Sequence, residues 1–105
     1  MRLADQTEAL LCDRRGAELP AHFVLPHYGG YSIANLAPTV ARLMGTAMES
    51  GSPVLPDDLW ADLGQDINCV VLLVLDAVGY RQLRQYLDAE ASIFSHLARR
   101  GRLVP

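Results

Sequence analysis

The chain has 105 residues, of which 50% are hydrophobic, and its twelve acidic and nine basic residues give a net charge of −3. This length allows one small domain with a modest core. The charge balance argues against a nucleic-acid-binding protein, because no basic stripe is available to neutralise phosphates. The nearest candidate, formed by Arg99, Arg100 and Arg102, is too short for that role.

Neither a membrane span nor a secretory signal is visible in the sequence. The longest apolar run, residues 69–75, is far shorter than the roughly 20 residues that span a bilayer. Residues 1–6 meet charge before any apolar stretch begins. Cys12 and Cys69 are expected to be reduced thiols, Cys69 as a small hydrophobe in a buried strand. We therefore expect a cytoplasmic protein with no membrane partner.

The first third of the sequence predicts one helix followed by an irregular stretch. Residues 4–15 are expected to be helical, with Gly16 as the stop. Residues 16–31 contain two prolines and a Gly-Gly pair, which interrupt regular structure. We therefore separate residues 1–31, a helix with an irregular lead-in, from residues 32–105, which begin an α/β domain.

The middle of the chain predicts a second helix and a loop. Residues 32–45 have helical spacing, with Asn35 as the N-cap and Pro38 in the first turn, where a missing N–H costs little. Residues 46–56 are rich in Ser, Gly and Pro and predict a loop. One or two helical turns are expected at residues 57–63.

The most informative feature of the sequence is an apolar run that ends at one carboxylate. Residues 69–75 contain no polar alternation, which is typical of a parallel strand covered on both faces. Asp76 follows directly, then a short loop and an amphipathic stretch that predicts a helix at residues 79–88. The pattern indicates a strand, a tight turn and a helix.

The end of the sequence predicts another helix and the start of a second strand. Ser92 is a suitable N-cap for a helix that extends to Arg100. Residues 102–104 are expected to be extended and to lie beside the first strand after a right-handed crossover. The sequence therefore predicts an α/β fold that begins a parallel sheet and is incomplete in this chain. We expect it to be the N-terminal part of a longer protein.

The position of Asp76 leaves several interpretations open. Open α/β sheets bind ligands at the carboxyl ends of their strands, where an aspartate can hold a metal ion. The structural alternative is a polar residue that caps the next helix. A Walker B role is disfavoured because no phosphate-binding loop precedes the strand. Val78 stands where a phosphoaspartate hydrolase has a second aspartate, and the loop lacks the dinucleotide glycine fingerprint.

The remaining polar residues predict little chemistry. His22, His27 and His96 lack the spacing of a metal site and are expected to be surface or hydrogen-bonded side chains. No serine lies in a Gly-x-Ser-x-Gly nucleophile elbow. Asp76 is therefore the one candidate site residue in the chain.

Three phrases of the sequence resemble a known family. Residues 69–80, CVVLLVLDAVGY, look like the first strand and turn of the alkaline phosphatase superfamily, closest to its type I phosphodiesterase/nucleotide pyrophosphatase branch. Residues 92–101, SIFSHLARRG, and the lead-in at residues 28–36, YGGYSIANL, are similar in order and spacing. Ala77 departs from the family, which commonly has glycine there, so a strained backbone angle would cost more.

The resemblance implies a metal-dependent hydrolase of phosphate esters or pyrophosphates, with a small phosphate ester or nucleotide as substrate. Asp76 would bind one of two divalent ions, usually zinc. Such a pair activates the attacking hydroxyl and holds the phosphoryl oxygens. In the family the Ser/Thr nucleophile and the other ligands come later in the chain, so none is matched here and the 105 residues alone are expected to be inactive.

Two alternatives stay open. The phosphoglycerate mutase and sulfatase branches of the same superfamily share the aspartate at the strand end. The chain can also be a small non-enzymatic α/β module that binds a partner through an open sheet edge or an exposed apolar face. The sequence does not decide the oligomeric state.

Overall fold

The computed structural model describes residues 3–13, 15–16, 18–49, 51–87 and 92–104. Within these ranges the chain forms four α-helices, which are α1 Leu3–Cys12, α2 Leu36–Leu43, α3 Tyr80–Leu87 and α4 Ile93–Arg100. Two short 3₁₀ helices, Ile33–Asn35 and Asp57–Leu59, complete the regular structure. None of these helices combines the length and the hydrophobicity needed to cross a bilayer.

The predicted α/β fold with a parallel sheet is wrong. No strand ladder forms among the described residues, and the single β-bridge, between His27 and Tyr31, is isolated and antiparallel. Residues 69–75 and 102–104, predicted to be neighbouring strands, both lack a strand partner. An apolar run indicates a buried strand only when other layers cover it. Here residues 71–75 are 52–87% exposed, so no layer formed by the described residues covers them.

The helices were placed correctly by the sequence, with some shifts at their ends. α1 ends at Cys12, before the expected end at residue 15, and residues 32–45 divide into a 3₁₀ turn and α2. The turns expected at residues 57–63 are a 3₁₀ helix followed by hydrogen-bonded turns. The predicted end of α3 at Asp88 lies outside the described residues. The division of the chain at residues 31 and 32 stays a prediction.

Most of the buried side chains in the described residues are polar. Leu59, at 4% exposure, is the only buried hydrophobic residue among them. Asn35 is fully buried, with Thr39 nearby on α2. The hydroxyl of Thr39 donates to the Asn35 carbonyl at 2.6 Å and accepts the Leu55 N–H at 2.9 Å. A polar cluster therefore holds the start of α2 against the loop at residues 53–55.

Asn35 has a different role from the one predicted. It does occupy the N-cap of α2, but its side chain makes no capping bond there. Instead its carboxamide oxygen accepts the Ser32 N–H at 2.8 Å and the Ser32 hydroxyl at 3.0 Å. Its amide group donates to the carbonyls of Tyr28 at 3.2 Å and Pro53 at 2.8 Å. One side chain thus ties three backbone segments together.

The two C-terminal helices pack against each other. Ser92 caps α4 as predicted, because its hydroxyl accepts the Ser95 N–H at 2.9 Å. The same hydroxyl donates to the Tyr86 carbonyl of α3 at 2.6 Å. The rings of Tyr86 and Phe94 lie 6.3 Å apart. These contacts join α3 to α4, whereas residues 88–91 lie outside the described ranges.

Candidate metal-ligating site at Asp76

The candidate site begins with residues 69–75, which we call the apolar segment. The nine residues 67–75 contain no helix, turn or bend, so the backbone has no regular secondary structure up to Asp76. The apolar segment makes no hydrogen bond to any other described residue. Cys69 is exposed and free, which contradicts its expected burial, and Cys12 is also free and exposed.

Asp76 lies at the end of the apolar segment in an exposed turn. Its carboxylate oxygen Oδ1 accepts the N–H of Ala77 at 2.8 Å. Ala77 has φ 59°, in the left-handed region that a non-glycine residue adopts at a cost of roughly 1 kcal/mol. The chain therefore reverses direction directly after the carboxylate, at the position where the resembled family has glycine.

Asp76 does not cap the following helix, which was the structural alternative. The carbonyl of Gly79 accepts the first helical hydrogen bond, from the Leu83 N–H at 2.9 Å. The N–H of Gly79 donates to the Gln82 side chain at 3.3 Å. Gln82 therefore serves the start of α3, and the described contacts of the Asp76 carboxylate reduce to the bond with Ala77.

The described residues do not by themselves fit a two-zinc centre. No group of three or more His, Cys, Asp or Glu side chains among them is placed to hold a metal ion. A catalytic zinc site takes about three protein ligands. Asp76 offers a single carboxylate, which does not form such a site with the other described residues.

The described contacts of His22 and His27 are with aromatic rings and not with Asp76. His22 packs beside Phe23 with ring centroids 4.9 Å apart. His27 packs edge-on against Tyr31 at 5.1 Å, and its Nδ1 is buried without a hydrogen-bond partner in the described residues. His96 is exposed on α4, as predicted.

The sequence analysis missed a charged cluster between α1 and α3. Arg84 contacts Glu8 at 2.6 Å and Asp5 at 3.3 Å, and the hydroxyl of Tyr80 donates to Glu8 at 3.3 Å. The hydrogen bond that Arg84 donates to Glu8 raises the pKa of Arg84, and partial burial together with the Glu8 charge raises the pKa of Tyr80. The spacing of Asp5 with Glu8 and of Tyr80 with Arg84, three and four residues apart on one helical face, was the available signal.

A second ion pair replaces the predicted pairing of residues 102–104. Arg102 binds both carboxylate oxygens of Asp62, at 2.9 and 2.8 Å, and donates to the Asp58 carbonyl at 3.0 Å. This hydrogen bonding lowers the pKa of Asp62 below its ordinary value of 3.8. Arg102 thus attaches to the 3₁₀ helix Asp57–Leu59 and to the turn after it, and not to the apolar segment.

Comparisons of the chain with protein-family models, with curated proteins and with solved structures give no match. The geometry of the described residues therefore carries the functional argument. That geometry consists of an exposed apolar segment, a carboxylate at its end, and a left-handed turn that leads into α3.

Proposed function

We propose that this chain contributes Asp76 as one ligand to the divalent-metal centre of a hydrolase that acts on phosphate esters or pyrophosphates. The nucleophile and the other ligands come from outside the described residues, in keeping with the resemblance of residues 69–80. Because one carboxylate does not complete a metal site, the chain alone is inactive.

The left-handed turn at Ala77 is the observation that carries the proposal. A residue with a φ of 59° is typical of glycine, and glycine is what the resembled family has at this position. The turn therefore supports a backbone of the family's kind even though the residue differs. It leaves the Asp76 carboxylate exposed at the end of the apolar segment, with one hydrogen bond to a backbone amide.

The proposal is tested by hydrolysis of a nitrophenyl phosphate ester with added zinc. The 105-residue chain is expected to show no turnover, and robust hydrolysis by it would contradict the assignment of the nucleophile. In a longer polypeptide that contains this chain and turns over the ester, Asp76→Asn should lower kcat/KM by about 10²-fold or more, since loss of a metal ligand removes the charge that holds the ion.

Asp66→Asn is the matched control for this experiment. Asp66 is also exposed, also lies in a turn next to the apolar segment, and also has a positive φ, of 54°. It precedes the apolar segment, whereas Asp76 follows it. Equal loss of activity in the two variants, or full activity of Asp76→Asn at every zinc concentration, would show that Asp76 is not a ligand.

A second candidate function is binding of a macromolecular partner through the apolar segment. It is favoured by the exposure of five consecutive Val and Leu side chains, residues 71–75, at 52–87%. Contiguous exposed apolar surface of this kind marks interaction sites in soluble proteins. A gel-filtration and light-scattering measurement tests it, because a stable binding module gives a discrete monomer or dimer, whereas a chain that lacks part of its core aggregates.

A further inference from the structure

We infer that the partner of the apolar segment is the same segment of a second copy, paired antiparallel about Leu72. This inference rests on the second candidate function, binding through the apolar segment, and does not require a metal at Asp76. Its first support is the backbone. None of the N–H and C=O groups of residues 69–75 is hydrogen-bonded to another described residue. A row of such groups beside exposed apolar side chains is a template for strand pairing.

Two copies of the apolar segment can also pair over its full length with complementary residues at the ends. Seven uncharged residues lie between Asn68 and Asp76, and the next charge before Asn68 is Asp66. Antiparallel pairing centred on Leu72 overlaps all seven residues, with Val71 opposite the partner's Leu73 and Leu72 opposite the partner's Leu72. Cross-strand pairs of this kind are the unit of stabilisation in a sheet.

The residues at the ends of the apolar segment, Asn68 and Asp76, favour one direction and one register of strand pairing. In parallel pairing with full overlap, Asp76 lies beside the partner's Asp76, and like charges in that position are unfavourable. In the antiparallel register centred on Leu72, each Asp76 lies opposite the partner's Asn68, whose amide group is a hydrogen-bond donor. Shifts of one or two residues place Asp76 opposite Ile67, Cys69, Val70 or Asp66 instead. Only the register centred on Leu72 combines full overlap with a carboxylate–amide pair.

Substitutions at Asn68 test the register through charge. Sedimentation velocity should show a monomer–dimer equilibrium for the native chain. Asn68→Asp creates two like-charge pairs in the dimer and should raise its Kd about tenfold, whereas Asn68→Lys creates two opposite-charge pairs and should lower it by a similar factor. The controls are Gln65→Asp and Gln65→Lys, which change the net charge equally at an exposed residue in the turn before the paired residues, so the Kd should change by about twofold at most.

Cysteine crosslinking tests the same register without relying on charge. In a background with Cys12→Ser and Cys69→Ser, Leu72→Cys should form an intermolecular disulfide on mild oxidation, because position 72 lies opposite itself. With only Cys12 replaced, native Cys69 should not crosslink, since the two Cys69 residues lie six positions apart along the ribbon, roughly 20 Å. Disulfides need Cα atoms within about 7 Å. A Cys69–Cys69 disulfide would indicate parallel pairing and overturn the inference.

Three other outcomes overturn it as well. Large aggregates that are insensitive to the Asn68 charge would indicate nonspecific association. A monomer whose amides at residues 69–75 exchange rapidly with solvent would exclude self-pairing but leave binding of another partner as the second candidate function. A monomer with these amides protected would exclude both. Dimerisation that responds to Asn68 but not to Gln65 is the result that supports the inference.

Discussion

Replacing Asn35 with alanine should destabilise the folded chain more than any single change at the apolar segment. Asn35 is fully buried, and its carboxamide joins Ser32, Tyr28 and Pro53. Asn35→Ala removes all of these hydrogen bonds at once. It leaves the Ser32 N–H and two backbone carbonyls without their partner in a part-buried site.

The magnitude follows from the number of groups that lose a partner. Each hydrogen bond contributes about 1 kcal/mol net, and unsatisfied buried groups cost about 1–3 kcal/mol each. With three backbone groups involved, the free energy of unfolding should fall by about 3 kcal/mol. At a urea slope of about 1 kcal/mol per molar for a small protein, the midpoint should fall by about 3 M. A loss of this size is a large fraction of the stability of any small domain.

The fluorescence of Trp60, the only tryptophan, reports this unfolding directly. Its indole N–H donates to the Leu55 carbonyl at 2.9 Å, and Leu55 is in turn held by Thr39. Gln85→Ala is the control, because Gln85 is an exposed amide on α3 and its loss should change stability by less than about 0.5 kcal/mol. If Asn35→Ala unfolds within 0.5 kcal/mol of the native chain, the buried cluster does not hold the fold together.

An isosteric change at the same residue separates hydrogen bonding from packing. Asn35→Asp keeps the oxygen that accepts from Ser32 but replaces the donor amide with an oxygen that faces the Tyr28 and Pro53 carbonyls. Burial and these carbonyls raise the pKa of the introduced carboxyl above its value in the unfolded chain. The contribution to stability is therefore present at low pH and lost as pH rises through the folded-state pKa. Urea midpoints of this variant should increase from pH 7 to pH 4 relative to the native chain.

Two further changes test local features. Ala77→Gly should raise the free energy of unfolding by about 0.5–1 kcal/mol in the same urea assay, because glycine tolerates the φ of 59°. The control Ala47→Gly, at an exposed residue without a positive φ, should not raise it. Destabilisation by Ala77→Gly would exclude the left-handed turn. Arg102→Gln should return the pKa of Asp62 upward toward 3.8 in an NMR titration. Because the pKa of Asp62 is lowered in the folded chain, the ion pair stabilises the fold above the unfolded-state pKa, and this contribution is lost as pH falls through the folded-state pKa. An Asp62 pKa that does not change in Arg102→Gln would exclude the ion pair in solution.

Local signals in the sequence were sufficient for the helices. α4 was placed correctly because Ser92 and the apolar spacing after it specify a capped amphipathic helix within ten residues. α2 was placed correctly because Pro38 suits the first turn of a helix and helical apolar spacing follows it. Such features act within one or two turns, so the rest of the chain does not have to be known.

The strand prediction failed because a strand depends on contacts with distant parts of the chain. An apolar run such as residues 69–75 becomes a strand only if other segments pair with its edges and cover its faces. The sequence shows the run but not the partners, and the described residues supply none. Asp76 directly follows the run, but the sheet edge that would have oriented it toward other ligands does not form among the described residues.

The role of Asn35 was missed for a related reason. An asparagine before a helical stretch indicates an N-cap, and this local interpretation is correct for its position. The bonds that matter reach seven residues back to Tyr28 and eighteen residues forward to Pro53. Neither partner has a sequence signature, because both contribute backbone carbonyls, which every residue has.

The metal-ligand proposal and the self-pairing inference place different demands on Asp76, so variants can separate them. Under the metal-ligand proposal, Asp76→Asn removes a cation ligand, but opposite the partner's Asn68 it still forms an amide pair, so the dimer should persist while metal-dependent hydrolysis by the longer polypeptide is lost. Asn68→Asp has the reverse effect, because it adds like charge across the ribbon and leaves the Asp76 carboxylate intact. If each variant lost both dimerisation and hydrolysis, the two properties would depend on one shared structure at this end of the apolar segment. Independent losses would show that the carboxylate and the apolar segment act separately.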